Sequence, residues 1–340
     1  MEKLLSIIIP TYNTEQYLPR CIDSLIVPEY LEHIEILIVI DGSPDNSLLI
    51  AQKYEALYPE TIQVINKENG GHGSTINKGL ELAKGKYIRI LDSDDWFHTN
   101  NFPLYLSKLS MAEEDIVMTH LVKELVFEHK SVLELSEGII FDKTYNTESL
   151  DYDNLPVNFF GMARCTYKTE LLREHNLQLL EKSFYEDSFL HIFPLKYLET
   201  FVFYDLVIYH YFLGRPEQSV SREVALRHYE HWHKVIKQII EFYIINKLVF
   251  SPSKEKFVLR VISYYITKQY SQMINFEYKK AKNELDKWDK YVFSLPFLQK
   301  VTNYKIKLYS FLPYFIYRYS FQLRSLLLVL TNRFVNNKSS

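Results

Sequence analysis

The run Asp92-Ser93-Asp94-Asp95 is the densest group of potentially reactive side chains in the sequence, with three carboxylates in four residues directly after an apolar segment. Clustered carboxylates repel one another and lose hydration, so they need a cation or well-placed hydrogen-bond donors nearby. Mg2+ typically takes one or two carboxylates together with substrate phosphates. The cluster therefore predicts a divalent-metal site for a substrate with a diphosphate leaving group, and the alternative is a solvated acidic turn.

A second acidic pair, Glu186-Asp187, lies between aromatic and apolar stretches. Burial raises the pKa of a carboxyl group, so such a pair is a candidate for a general base that accepts the proton of a substrate hydroxyl. The alternative is a pair of acids at the start of a helix, where the helix dipole favours negative charge.

Polar residues also follow two other apolar segments, in the loop Pro10-Thr11-Tyr12-Asn13 and at Asp41-Gly42-Ser43. The ring of Tyr12 can stack on a nucleotide base, and the carboxylate of Asp41 can accept a hydrogen bond from a base edge or a ribose hydroxyl. Taken alone, the first segment is more typical of an ordinary strand-to-helix turn, and the second is a weak signal, since Asp-Gly is common in turns.

The glycine-rich segment 69–74 precedes a helical pattern, so its backbone, including Gly71, can approach phosphate groups at the start of that helix. Taken without its neighbours, the segment is more typical of a flexible turn. His72 then contacts a diphosphate or lies in solvent, and the sequence does not choose between these two positions. Further along the chain, Arg215 belongs to a basic, hydroxyl-rich loop that can close over phosphates.

These loops need a scaffold that brings them to one place. The first hundred residues alternate β-rich runs with helical patterns, which predicts an α/β fold with a mostly parallel sheet and helices on both faces. The predicted strands are 4–9, 35–40, 61–65 and 86–91, and the predicted helices are 19–26, 47–58 and 74–83. Because open α/β sheets bind ligands at the carboxyl ends of their strands, the loops after residues 9, 40 and 91 should meet at one edge.

The rest of the chain changes character twice. Residues 115–126 predict a strand, 168–175 a helix and 200–213 an aromatic-rich pair of strands, whereas the pattern from about 220 onward is helical. We therefore expect a catalytic domain over 1–218 and a helical C-terminal region over 219–340, with a boundary near 216–222.

Composition excludes several classes of protein. A net charge of −3 gives no global attraction to nucleic acid, and two cysteines, Cys21 and Cys165, suit a reducing cytoplasm better than a disulfide framework. The apolar N-terminal run is short and ends at Pro10, so it predicts a strand, and no stretch approaches the roughly 18 apolar residues of a spanning helix.

The C-terminal tail, 302–335, interleaves aromatic residues and leucines with cations, and no acid occurs between Phe297 and Val335. This composition is typical of interfacial helices that bind anionic lipid. It is compatible with peripheral contact with a membrane, at the inner face of the plasma membrane, and no nucleic acid is expected as partner. The alternatives are a helical cap on the catalytic domain and, from the basic and aromatic composition, an RNA-binding segment.

Taken in order, these motifs resemble those of the family-2 glycosyltransferases, the inverting group with the GT-A fold. The matching segments are residues 6–13, Asp41-Gly42-Ser43, Asn77-Lys78-Gly79, 83–88 and 92–95, with a looser match over about 160–221. The chain has Ile40 where the family usually has a second acid before the Gly-Ser pair, which weakens any requirement for that acid.

The resemblance implies roles for individual residues. Tyr12 and Asp41 would hold the nucleotide base, Asp92 the ribose side, and Asp94, with Asp92, the Mn2+ or Mg2+ that bridges the diphosphate. Asp187, supported by Glu186, would be the catalytic base. The further substrate contacts would be Pro10, Thr11, Asn13, Gly71, His72, Asn77, Ser93 and Arg215.

The resemblance also implies the partners: a nucleoside-diphosphate sugar, with a UDP-sugar favoured, and a glycan or lipid-linked acceptor in polysaccharide synthesis of the bacterial type. The alternative is an inactive nucleotide-sugar-binding or scaffold protein with the same fold. A chain without catalysis would have little physical reason to keep the crowded acids at 92, 94 and 95. A nucleotidyltransferase is disfavoured because no Gly-rich loop with Arg and Lys follows the first strand.

Overall fold

The computed structural model describes residues 3–134, 138–214, 218, 222–273, 276 and 278–301. Arg215 and the tail at 302–335 lie outside these residues. The strands are β1 Leu5–Thr11, β2 Ile34–Asp41, β3 Ile62–Lys67, β4 Tyr87–Ile90, β5 Trp96–Phe97, β6 Ile116–Leu125, β7 Lys130–Glu134, β8 Thr144–Asn146, β9 Cys165–Lys168 and β10 Thr200–Leu213.

The helices lie between and after these strands. They are α1 Leu18–Asp23, α2 Ser47–Leu57, α3 His72–Leu82, α4 Phe102–Ser110, α5 Thr169–Arg173, α6 Arg222–Arg227, α7 Tyr229–Asn246, α8 Pro252–Met273, α9 Tyr278–Phe293 and α10 Pro296–Val301. A short 3-10 helix spans Glu186–His191. None of the helices in the described part of the chain is both long and apolar enough to cross a membrane.

The described strands form one mixed sheet in the order β3-β2-β1-β4-β9-β6-β10-β5, with β7 beside β6 and β8 beside β10. The first four strands of this order run parallel, because each of their connections crosses back through a helix. β6 and β10 are also parallel, whereas β9, between β4 and β6, is antiparallel to both. The predicted α/β fold with a mixed sheet is confirmed.

Both faces of the sheet are covered, as the alternation of side chains along the strands requires. Along β1, Ile7 and Ile9 face a cluster that includes apolar residues of α1, α2 and α4. Ile8 faces the opposite cluster, which includes residues of α3, α5, α7 and α8. Both clusters are closed to solvent, so helices lie on each face as predicted.

The predicted strand pair at 200–213 is wrong, because Thr200–Leu213 forms the single strand β10. The chain stays paired with β6 from Phe201 to Leu213, and its register shifts between Phe203 and Tyr209 instead of reversing. The segment has no Gly or Pro to make a tight turn, so a bulge bends the strand where we expected a hairpin.

The helical C-terminal region shares a core with the sheet. One continuous hydrophobic cluster extends from Ile8 in β1 to Ile239 in α7, Ile266 in α8 and Leu298 in α10. The expected boundary near 216–222 stays a prediction about chain organisation, since this core crosses it without a gap.

Ile239→Ala tests whether the two regions unfold together. Ile239 is fully buried, and truncating a buried isoleucine to alanine costs about 2–5 kcal/mol of unfolding free energy. We expect one cooperative transition at lower denaturant concentration, measured by both far-ultraviolet circular dichroism and tryptophan fluorescence. Ile245→Ala, on the exposed side of the same helix, should leave the transition in place. Two separate transitions, with only one moved by Ile239→Ala, would mean independent domains.

Candidate active site

The carboxylate of Asp41, at the end of β2, organises the glycine-rich loop that precedes α3. It accepts hydrogen bonds from the backbone of Gly70 at 2.9 Å and of Gly71 at 2.8 Å, and from Lys67 Nζ at 2.8 Å. Asp41 is buried, so these donors replace the water that its charge loses. The predicted contact of Asp41 with a base stays a prediction, and the observed contacts give it a role in shaping the loop.

Close packing of this loop brings the second acidic pair to the first cluster. Gly71 has a φ of +85°, and a Cβ at Gly73 would lie 2.3 Å from the carbonyl oxygen of Leu180. Only glycine fits so close an approach. The side-chain amide of Asn77 donates to Leu179 O and accepts from Leu179 N, both at 2.9 Å. The segment 179–186 is thereby held against α3.

His72, at the start of α3, joins the two acidic segments directly. Its Nδ1 lies 2.6 Å from Glu186 Oε1 and its Nε2 lies 2.9 Å from Asp92 Oδ1. Burial by itself would lower the pKa of His72, but the Asp92 and Glu186 carboxylates raise that pKa well above its usual value. The ring bridges two carboxylates and keeps about a third of its side chain exposed, and its predicted contact with a diphosphate stays a prediction.

The turn after β4 divides its three acids between different tasks. Asp95 is fully buried and accepts hydrogen bonds from Tyr209 Oη at 2.6 Å and Phe212 N at 2.8 Å, which tie the turn to β10. Burial, and then the charges of Asp94 and Asp92, raise the pKa of Asp95 well above its usual value. The expected alternative of a solvated acidic turn is not what the structure contains.

The two other acids of the turn remain closer to the surface. Asp92 keeps about a third of its side chain exposed, and Asp94 Oδ2 accepts a hydrogen bond from Gln218 Nε2 at 3.3 Å. Ser93 between them is buried, and its hydroxyl lies 2.9 Å from Thr14 Oγ1. Its predicted role as a substrate contact stays a prediction, because this hydroxyl already has a partner in the fold.

Arg20 in α1 is a charged residue of the site that sequence reasoning missed. Its guanidinium group donates to the carbonyl oxygen of Asp94 at 2.9 Å and lies over the rings of Trp96, at 3.7 Å, and Phe212, at 4.8 Å. Burial lowers the pKa of Arg20, while the nearby Asp95 and Asp94 charges raise it. The early position in a short amphipathic helix gave no signal that this cation faces the acidic turn.

Asp187 lies next to the bridged pair in a largely buried position. Burial and the neighbouring Glu186 raise the pKa of Asp187 to about 6, against the opposing effect of His72 and Lys268. This direction agrees with the expectation for a general base, and the base role itself stays a prediction. Glu186 and Asp187 also form the first turn of the 3-10 helix Glu186–His191. The alternative, a pair of acids at the start of a helix, therefore holds for their position as well.

Helices α7 and α8 support the turn that carries Asp187. Tyr185 has a φ of +69°, and its ring stacks on Trp232 of α7 with centroids 4.2 Å apart. On α8, Lys268 Nζ lies 4.4 Å from the Trp232 ring and interacts electrostatically with Asp187. Sequence reasoning missed Lys268, because nothing in a helical stretch some 80 residues later points to the acidic pair.

The loop after β1 contributes one exposed side chain. Pro10 and Thr11 are buried in β1, and the Thr11 hydroxyl donates to Ile9 O at 3.1 Å. Tyr12 is about half exposed, and Asn13, with a φ of +54°, turns the chain and donates its backbone N–H to Ser43 Oγ. Of this motif, only Tyr12 presents a free surface on which a base can stack.

The structure therefore brings together some predicted site residues and uses others in the fold. His72, Asp92, Glu186 and Asp187 converge, and Asp94 lies in the same turn as Asp92. Thr11, Asp41, Asn77 and Ser93 make contacts within the protein, and Arg215 lies outside the described residues. In the described ranges no group of three or more His, Cys, Asp or Glu side chains is arranged to hold a metal ion. Asp92 and Asp94 still suit a hard divalent cation that takes its other ligands from phosphates.

Comparison with known proteins gives the context of this geometry. The model of the family described as "Glycosyl transferase family 2" matches residues 6–175. The uncharacterized glycosyltransferase EpsJ of Bacillus subtilis is 32% identical over 247 residues, which are 72% of this chain and 70% of EpsJ. The minor teichoic acid biosynthesis protein GgaB of Bacillus subtilis is 42% identical over 33% of this chain and 12% of GgaB.

Among solved structures, S. aureus TarS 1-349 in complex with UDP-GlcNAc has a TM-score of 0.63 at 18% identity and covers 88% of this chain and 84% of that one. This likeness shows the fold. The chain spans only 34% and 54% of the length of two other curated relatives.

Proposed function

This chain belongs to glycosyl transferase family 2, and on that premise we propose that it is a metal-dependent, inverting transferase. It would move a sugar from a nucleoside-diphosphate sugar to a hydroxyl of a glycan or lipid-linked acceptor. The observation that carries the proposal is the meeting of two acidic segments at His72, whose ring contacts Asp92 and Glu186. Asp187, with a pKa of about 6, follows Glu186, and Asp94 lies in the same turn as Asp92.

Asp187 would act on the acceptor. A hydroxyl is a poor nucleophile until its proton is removed, and a base works best when its pKa lies near the working pH. A carboxyl group with a pKa of about 6 is ionised at neutral pH yet basic enough to take that proton. The acceptor oxygen then forms its bond to the anomeric carbon as the nucleoside diphosphate leaves with the bonding electrons. One such in-line displacement inverts the configuration.

The donor would lie on the other side of His72. Tyr12 is exposed for stacking on a base, and Asp92, with about a third of its side chain exposed, would lie towards the ribose. Solved structures of TarS contain UDP and UDP-GlcNAc, which supports a UDP-sugar as donor here. The teichoic acid role in the name of GgaB supports an acceptor in cell-surface polysaccharide synthesis.

Asp94 and Asp92 would hold the divalent cation, Mn2+ or Mg2+, which when bound neutralises the developing charge of the diphosphate. His72 and Arg20 carry positive charge beside the same acids. They limit the repulsion between the carboxylates before a donor arrives. The alternative is an inactive sugar-nucleotide-binding protein with the same fold. It predicts donor binding without turnover in the unaltered chain.

Asp187→Asn should keep donor binding and lose turnover. The amide has nearly the size of the carboxylate but cannot accept the proton, and loss of a general base costs about 10²–10⁴-fold in rate. The measurement is nucleoside diphosphate release from a panel of UDP-, GDP- and TDP-sugars, with the dissociation constant of the active donor by calorimetry. Glu174→Gln, an exposed acid outside the site, is the control. Unchanged turnover in Asp187→Asn would remove the base role.

Asp94→Ala should weaken metal binding itself. In the presence of nucleoside diphosphate, titration of Mn2+ with the unaltered protein should reduce the electron paramagnetic resonance signal of the free ion. We expect the Asp94→Ala variant to lose this effect. Turnover should fall by more than about 10²-fold, since a bound metal contributes several kcal/mol of charge stabilisation. Asp45→Ala, an acid of the neighbouring β2 loop, serves as control. Mn2+ binding equal to that of the unaltered protein would contradict the assignment of Asp94.

Lys268→Met should shift the pH profile of the reaction. The positive charge of Lys268 lowers the pKa of Asp187, so its removal raises that pKa and moves the acidic limb of kcat/KM to higher pH. The rate should therefore fall more at pH 6 than at pH 8. Lys268→Arg keeps the positive charge and should have the pH profile of the unaltered protein. Lys280→Met removes a lysine that lies over other aromatic rings and should also leave the pH profile unchanged. An unmoved acidic limb would contradict the electrostatic coupling.

A further inference from the structure

The connection between α7 and α8 exposes an unusual concentration of apolar side chains. We call Ile244, Ile245, Leu248 and Val249 the 244–249 patch; Leu248 is 91% exposed and Ile245 is 79% exposed. Elsewhere in the described chain, no stretch of six residues has more than one exposed large hydrophobic side chain. Scattered exposed apolar residues need no explanation, whereas contiguous ones mark an interaction surface.

The patch is held out by an ordered base. Tyr243 and Phe250 flank it on both sides and are buried in the main core. The Tyr243 hydroxyl donates to Glu255 Oε1 of α8 at 2.6 Å, and Asn246 Nδ2 donates to Phe242 O at 2.7 Å. Because the flanking residues are fixed, the apolar side chains between them form a rigid projection with Lys247 at its centre.

The chain leaves the described structure beside this projection. In α10, the ring of Phe297 packs on Tyr243 with centroids 4.9 Å apart, and the described residues end at 301. The sequence that follows is the tail 302–335, with aromatic residues, leucines and cations and no acid. An apolar projection and a cationic aromatic segment therefore start from the same corner of the molecule.

We propose that the 244–249 patch inserts into the surface of an anionic lipid bilayer. The chemistry that recognises it is an apolar acyl layer below anionic headgroups, which accommodates aliphatic side chains and the ammonium group of Lys247. A single weak anchor gives marginal, reversible membrane binding, and stable binding takes a second signal such as a basic segment. The tail sequence contains such cations, which would be the second signal.

The proposal does not depend on the proposed reaction. Trp232 supports the proposed catalytic turn from the first part of α7. The helix rises about 21 Å from Trp232 to its last residue, Asn246, at 1.5 Å per residue, and the patch lies at that end. Substitutions in the patch should therefore leave sugar-nucleotide turnover unchanged in the absence of lipid. The competing occupant is the tail itself, folded over the patch.

A fluorescent probe at the patch separates these occupants. Cys21 and Cys165 are buried, so Leu248→Cys in the full chain can be labelled selectively with an environment-sensitive fluorophore. We expect a blue shift with phosphatidylcholine vesicles that contain phosphatidylglycerol and little change with phosphatidylcholine alone. Label at Leu57→Cys, an exposed position on α2, should not respond. A signal that is already blue-shifted without lipid, or one that vesicles never change, overturns the proposal.

Vesicle binding gives an independent measurement. The triple variant Ile245→Ser, Leu248→Ser, Val249→Ser should sediment with anionic vesicles at least about tenfold more weakly, because three aliphatic side chains no longer leave water. The matched control, Leu49→Ser, Leu57→Ser, Leu104→Ser, alters three exposed leucines elsewhere and should bind as the unaltered chain does. Higher salt should weaken the binding that remains. Equal binding of the triple variant and the unaltered protein overturns the proposal.

Discussion

Mutual repulsion among carboxylates at one edge of the sheet is the constraint on which the site depends. Asp92, Asp94 and Asp95 crowd one turn, and Glu186 and Asp187 approach from another segment. The fold compensates them with different groups: His72 between the two segments, Arg20 below the turn and Tyr209 on Asp95. Asp92 remains partly exposed. Burial and the charge of Glu186 keep the pKa of Asp187 raised against the opposing charge of His72, which is the condition that the proposed base requires.

Backbone packing makes that compensation possible. Gly71 and Gly73 let the segment 179–186 lie against the start of α3, and Asp41 fixes the loop from the other side through its bonds to backbone amides. A side chain at Gly73 would separate His72 from Glu186. The glycine-rich segment, which the sequence suggests as a phosphate-binding loop, therefore brings the Asp92–Asp95 turn and the Glu186-Asp187 pair together.

The helices after the sheet contribute to both proposed functions, sugar transfer and lipid binding. Through Trp232 and Lys268 they support and charge the turn of Asp187. At the far end of the same pair of helices, the 244–249 patch projects from the buried Tyr243 and Phe250. The same pair of helices thus supports the proposed catalytic turn at one end and carries the proposed lipid-binding surface at the other.

The sequence by itself determined the strands and helices of the first ninety residues, the loops that follow those strands and the resemblance to family-2 glycosyltransferases, because apolar periodicity and short motifs are local. Only the tertiary structure decided which acids are buried and which cationic residues lie beside them. The burial of Asp95, the His72 bridge and the reach of Arg20 and Lys268 join residues far apart in the chain, and β10 runs through where a turn was expected. Burial and electrostatic partners depend on packing, which spacing along a sequence does not encode.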